Sequence, residues 1–114
     1  MIYKEFVVGD KTYKLRLTTK DICDLETDIS MNPILIFGKN GDRIPTVSVM
    51  VAILFRSLQS LNHGISRNEA YTIFDEWLAE EERTVTDFIP VIVDIYKVSG
   101  LMKEPKEEKE KGKN

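Results

Sequence analysis

An α+β fold, mainly helical, with an N-terminal β-hairpin packed on about four helices and a disordered charged C-terminal tail, is what this 114-residue sequence predicts. Three observations carry that prediction. Alternation of apolar and polar residues, the period of a half-buried strand, is confined to the stretch before residue 18. From there to residue 99, apolar residues recur at spacings of three and four, the period of a helix with one buried face. From Lys103 onward the chain is almost wholly Lys, Glu, Gly and Pro, a composition with too little apolar surface to pack. Residues 1–102 therefore read as a single globular domain and 103–114 as a flexible tail.

The first strand is expected over Ile2 to Val8, rich in β-branched and aromatic residues, with Gly9-Asp10-Lys11 as the turn. Thr12 to Leu17 forms the second strand, Tyr13, Leu15 and Leu17 alternating with Lys14 and Arg16. A two-stranded hairpin is marginal alone, so it must lean on helices or on another chain. Thr18-Thr19-Lys20-Asp21 opens the first helix: a threonine hydroxyl takes up an orphan backbone N–H and Asp21 complements the dipole. Ile22, Leu25 and Ile29 share its inner face, and it runs from about Thr19 to Ser30, before Asn32-Pro33. Ile34-Leu35-Ile36-Phe37 is a tight apolar cluster, and Gly38 to Asp42 a loop.

Thr46 caps a second helix reaching about Leu61, apolar nearly all round and so central and buried. Asn62-His63-Gly64 closes it. Ser66 and Glu69 have the spacing of a capping box, and Ile65 is placed to staple onto Ala70. The helix they start buries Ala70, Ile73, Phe74 and Trp77, with Leu78 beside them, and ends in Glu80-Glu81-Glu82. A last helix, about Thr86 to Ser99, presents Phe88, Ile92, Ile95 and Tyr96. Pro90 is tolerable there because few backbone donors are lost in a first turn.

Composition excludes several classes. Hydrophobic content of 42% and charged content of 31% describe an ordinary soluble domain. A net charge of -3 argues against a nucleic-acid partner, which calls for a basic face. Lys4 and Glu5 interrupt any N-terminal signal sequence, and the most apolar stretch, Val47 to Leu58, is shorter than the ~20 residues of a membrane span. The single cysteine, Cys23, rules out an internal disulfide and suits a reducing compartment, so a cytoplasmic location is expected.

The residues that could carry chemistry read as structural. His63 is the only histidine and, at a helix end, suits the dipole. Ser66 is explained by its capping box with Glu69, and Cys23 by a half-buried position next to Ile22. Asp21, Asp24 and Asp28 form an acidic stripe that reads as a solvated face, as do Glu80 to Glu82. None has the glycine-punctuated spacing of a calcium loop, and Gly38-Lys39-Asn40-Gly41 lacks the pattern of a phosphate-binding loop. No catalytic, cofactor or metal site is read, and an enzyme is not expected. What stands out is apolar material where polar residues are the rule. Ile34, Leu35, Ile36 and Phe37 either tuck under the second helix or form a docking patch. Trp77 has core spacing, yet tryptophan is also enriched at binding hot spots. These five residues are the candidate contacts of a protein partner.

Gly9-Asp10-Lys11-Thr12-Tyr13-Lys14-Leu15-Arg16-Leu17-Thr18-Thr19-Lys20-Asp21-Ile22, then Leu25-Glu26, then Asn32-Pro33-Ile34, resembles the front of siphophage tail assembly chaperones of Gram-positive hosts and their prophages. The Ile65-Ser66 helix start and the Ser99-Gly100 ending fit the same layout, so the resemblance spans roughly residues 9 to 101. It implies a small, mainly helical protein of the host cytoplasm, encoded ahead of the tape measure protein. Such a protein binds that long, aggregation-prone helical client, presents it to the tail tube protein for polymerisation, and is absent from the finished virion. It implies no catalytic residues. Chaperones of this kind are often made in two lengths by ribosomal frameshifting. Gly112-Lys113-Asn114 is encodable as GGA-AAA-AAC, which contains the slippery heptamer A-AAA-AAC; a plain lysine-rich solubilising tail is the other reading. Two rival functions stay open: a structural tail or head–tail completion protein, and an acidic regulatory protein that occupies a host protein. The unpaired edge of a hairpin also leaves self-association into a homo-oligomer open.

Overall fold

The chain begins with the expected hairpin and continues into four α-helices, an α+β fold that is mainly helical; the computed structural model describes residues 2–103. Apart from Lys103, which is exposed, the charged tail and the Lys113-Asn114 codons lie outside the described residues. Strands β1 (Lys4–Val8) and β2 (Lys11–Leu15) pair antiparallel, with Phe6 opposite Tyr13 and Val8 opposite Lys11. The loop is only Gly9-Asp10. Gly9, at φ 62°, takes the first central position, where a tight hairpin turn needs a residue free to adopt positive φ.

Both strands are shorter than the alternation predicts. Beyond Leu15 the backbone bonds to other elements: the Arg16 N–H donates to the Ser57 carbonyl at 3.0 Å, and the Leu17 N–H to Ser99 Oγ at 2.9 Å. On the outer edge of β2 one side chain pairs with the backbone of Lys14. Asn62 Oδ1 accepts from the Lys14 N–H at 3.1 Å, and Asn62 Nδ2 donates to the Lys14 carbonyl at 2.7 Å. The amide side chain thereby satisfies both backbone groups of Lys14 as a neighbouring strand would.

Helix α1 (Thr19–Ile29) starts at a capping box in which Thr18 and Asp21 satisfy each other's backbone N–H. It ends at Ser30, which adopts φ 58° while its N–H donates to the Glu26 carbonyl. A 3-10 turn over Pro33–Leu35 follows, capped by Asn32, whose Oδ1 accepts from the Ile34 N–H at 3.0 Å. Helix α2 (Val47–Leu58) starts at Thr46 as predicted and buries Met50, Ile53, Leu54 and Leu58 completely. It packs against α1, β2 and the last two helices, and so forms the centre of the molecule. Helix α3 (Arg67–Glu80) opens with the predicted Ser66–Glu69 capping box and buries Ala70, Ile73, Phe74 and Trp77. A second 3-10 turn, Val85–Phe88, precedes helix α4 (Ile89–Val98), with Pro90 in its first turn.

An aromatic cluster joins the hairpin to the helices. Phe88 meets the rings of Phe74, Trp77 and Phe6 edge-on at centroid distances of 5.1, 5.6 and 6.0 Å, the arrangement favoured by the ring quadrupoles. Among the described residues no helix is long and apolar enough to cross a membrane.

Candidate protein-binding surface

The four-residue apolar cluster is divided by the turn it forms. A 3-10 helix repeats every three residues, so Pro33 and Ile36 fall on one side and Ile34 and Leu35 on the others. Ile36 is 2% exposed and Pro33 is buried, whereas Ile34 is 53% and Leu35 45% exposed. Phe37 is half-buried against the core. The turn is anchored from below by a buried hydrogen bond, in which Tyr96 OH donates to the Pro33 carbonyl at 2.8 Å. Burial raises the Tyr96 phenol above its ordinary range, so it stays a proton donor at all physiological pH values.

The rest of this connection is also held. The Gly38 N–H donates to the Leu35 carbonyl at 2.9 Å and the Arg43 N–H to that of Phe37 at 2.8 Å. Ile44 is exposed on the same connection. A cleft of ≈ 110 Å³ lined by Met31, Ile36, Ile44, Pro45 and Val49 lies under this segment. The α1–α2 connection thus presents Ile34, Leu35 and Ile44 to solvent on a fixed backbone.

Trp77 stands elsewhere. It is 6% exposed within the aromatic cluster, with the Arg83 guanidinium 4.5 Å over its ring and Arg83 NH1 donating to its carbonyl at 2.7 Å. Of the five candidate contacts, the structure exposes Ile34 and Leu35 on different sides of the turn, leaves Phe37 half-covered, and places Ile36 and Trp77 in the core. Tyr71 and Val47 are exposed apolar residues that the reading missed. Tyr71 was legible in principle, since a face made by Ala70, Ile73, Phe74 and Trp77 turns residue 71 outward. Val47 was not, because α2 is apolar on every side.

The acidic stripe on α1 is not a solvated face. Asp21 is buried, accepting from Thr18 N at 3.0 Å and from Ser60 Oγ at 2.7 Å. Asp28 accepts from Arg56 Nε at 2.6 Å and NH2 at 3.1 Å, with Arg67 at 3.6 Å. The Arg56 hydrogen bonds hold the Asp28 carboxyl below its ordinary value and raise Arg56 in turn. These carboxylates serve to dock α1 on α2 and α3. His63 is exposed five residues past the end of α2, too far to act on its dipole, and Cys23 is exposed rather than half-buried. Among the described residues no group of three or more His, Cys, Asp or Glu side chains is placed to hold a metal ion. Comparison with protein-family models, with curated proteins and with solved structures finds no match to the chain.

Proposed function

We propose that this protein is a tail assembly chaperone of a siphophage or prophage. In the host cytoplasm it binds the tape measure protein and keeps it soluble until the tail tube polymerises around it. The observation that carries the reading is the exposure of Ile34, Leu35 and Ile44 on a single connection held by the Tyr96 hydrogen bond and by backbone hydrogen bonds. Exposed apolar residues on a pre-set backbone can cover the apolar stripe of a client helix without first paying to order a loop. The net charge of -3 keeps the complex soluble.

The test is co-expression with the tape measure protein encoded after this gene. The wild type should hold the client in the soluble fraction and co-purify with it. The double variant Ile34→Glu, Leu35→Glu, folded by circular dichroism, should lose most of that co-purification. A client equally insoluble with and without the wild type overturns the reading. Stoichiometric presence in purified virions would assign a structural tail role instead. Capture of a host protein, independent of the tape measure protein, would assign regulation.

A further inference from the structure

A second exposed apolar feature lies on different residues. A groove of ≈ 420 Å³ separates α2 from α3. The two helices run antiparallel: Phe55, late in α2, lies under the guanidinium of Arg67, at the start of α3, at 4.5 Å, while Val47 and Asp75 line the other end. Buried Val51, Ala52 and Phe74 form its floor, and the small side chain of Ala52 leaves the space open. Exposed Val47 and Tyr71 form its lips.

On α3 the groove is bordered by Arg67, Tyr71 and Asp75, four residues apart and so in one row along the helix. Asp75 has no ion-pair partner among the described residues, and the Arg67 side chain is 42% exposed, 3.6 Å from Asp28. A cation and an anion therefore stand at equal distances on either side of a tyrosine. Such a row is complementary to itself when reversed.

We propose that this face is a self-association surface, on which a second copy of the chain docks with its α3 antiparallel to the first about a two-fold axis through Tyr71. That axis sets Arg67 against the partner's Asp75 and Asp75 against the partner's Arg67, so each charge meets its opposite. An isologous interface requires this kind of self-complementarity, and opposed charges fix its register. The two Tyr71 rings meet at the centre, where an amphipathic ring contributes most, and enter the grooves beside them. Residues 104–114 hold no aliphatic or aromatic residue apart from Pro105, so this segment brings no large apolar side chain to the groove. A surface centred on one tyrosine and two charge pairs predicts a weak dimer with a dissociation constant on the order of micromolar.

Sedimentation equilibrium of the full chain across a wide concentration range tests this. The wild type should pass from monomer to dimer. Tyr71→Glu, an exposed site at the axis, and Asp75→Arg, which opposes two arginines, should each weaken the dimer at least about tenfold. Arg67→Glu should do the same, and mixing it with Asp75→Arg should restore a heterodimer, since both charge pairs are then opposite again. If Arg67→Glu fails to fold because it abandons Asp28, the other two variants decide. A wild type that stays monomeric, or a dimer that neither Tyr71→Glu nor Asp75→Arg weakens, overturns the proposal. A monomer that binds the tape measure protein through Tyr71 also overturns it, giving the groove to the client and leaving the chaperone reading intact. A dimer with no effect on client solubility upholds the proposal while the chaperone reading fails.

Discussion

Asp28 accepts from Arg56 and faces Arg67, so one carboxylate joins α1 to both α2 and α3. Its folded-state pKa is held below the ordinary value of 3.8, mainly by the Arg56 hydrogen bonds. Glu69 is likewise lowered from 4.5, chiefly by the backbone N–H of Ser66. The sign follows from linkage. A group with a depressed folded pKa contributes stability that is present above its unfolded value and is lost as pH falls through the folded one. Thermal melts should therefore show a falling midpoint as the pH drops below about 4.5. Asp28→Asn should lower the midpoint at pH 7 and flatten that acid limb; an unchanged limb would mean that other carboxylates carry it. Tyr96 supplies a second residue-scale prediction. Tyr96→Phe removes the donor to the buried Pro33 carbonyl and should cost about 1–3 kcal/mol, read by chemical denaturation, with faster amide exchange in the Pro33–Leu35 turn.

At the scale of elements, the starts of the first three helices were legible and the ends of strands were not; the last helix, expected from about Thr86, begins at Ile89 after a 3-10 turn. Thr18 with Asp21, Thr46, and Ser66 with Glu69 act through neighbours three residues away, so their role is written locally. The end of β2 depends on Ser57, Asn62 and Ser99, forty or more residues off, and no local pattern announces them. The run Ile34 to Phe37 defeated periodicity for another reason: four consecutive apolar residues carry no period, and only the 3-10 turn decides which face inward. Asn62→Ala should strip both bonds from Lys14, cost about 1–2 kcal/mol, and speed exchange of the Lys14 amide selectively. Gly38 tests the rigidity of the exposed connection. It adopts φ 81°, and a Cβ there would meet Asp42 Oδ1 at 3.0 Å and the Arg43 Cβ at 3.2 Å. Gly38→Ala should destabilise by about 1 kcal/mol or more, because both the backbone conformation and the space oppose it.

For the molecule as a whole, α2 sits among α1, α3, α4 and β2, and the aromatic cluster ties the hairpin to α3 and to the turn before α4. Such an arrangement joins the elements through one core, so two-state melting is expected. The hairpin-on-helices architecture was legible because its elements differ in period, whereas the division between core and surface inside apolar runs belongs to tertiary packing. That division separates two kinds of variant. Trp77→Ala deletes the centre of the aromatic cluster and should cost about 3–5 kcal/mol, lowering the melting midpoint sharply. Leu35→Glu alters an exposed side chain and should shift stability by less than about 0.5 kcal/mol. Tape measure solubilisation, measured well below both midpoints, should then respond in the opposite order: nearly retained by Trp77→Ala while it remains folded, and strongly reduced by Leu35→Glu. Loss of binding in folded Trp77→Ala, with Leu35→Glu unaffected, would move the client surface away from the α1–α2 connection and onto the hairpin and α3.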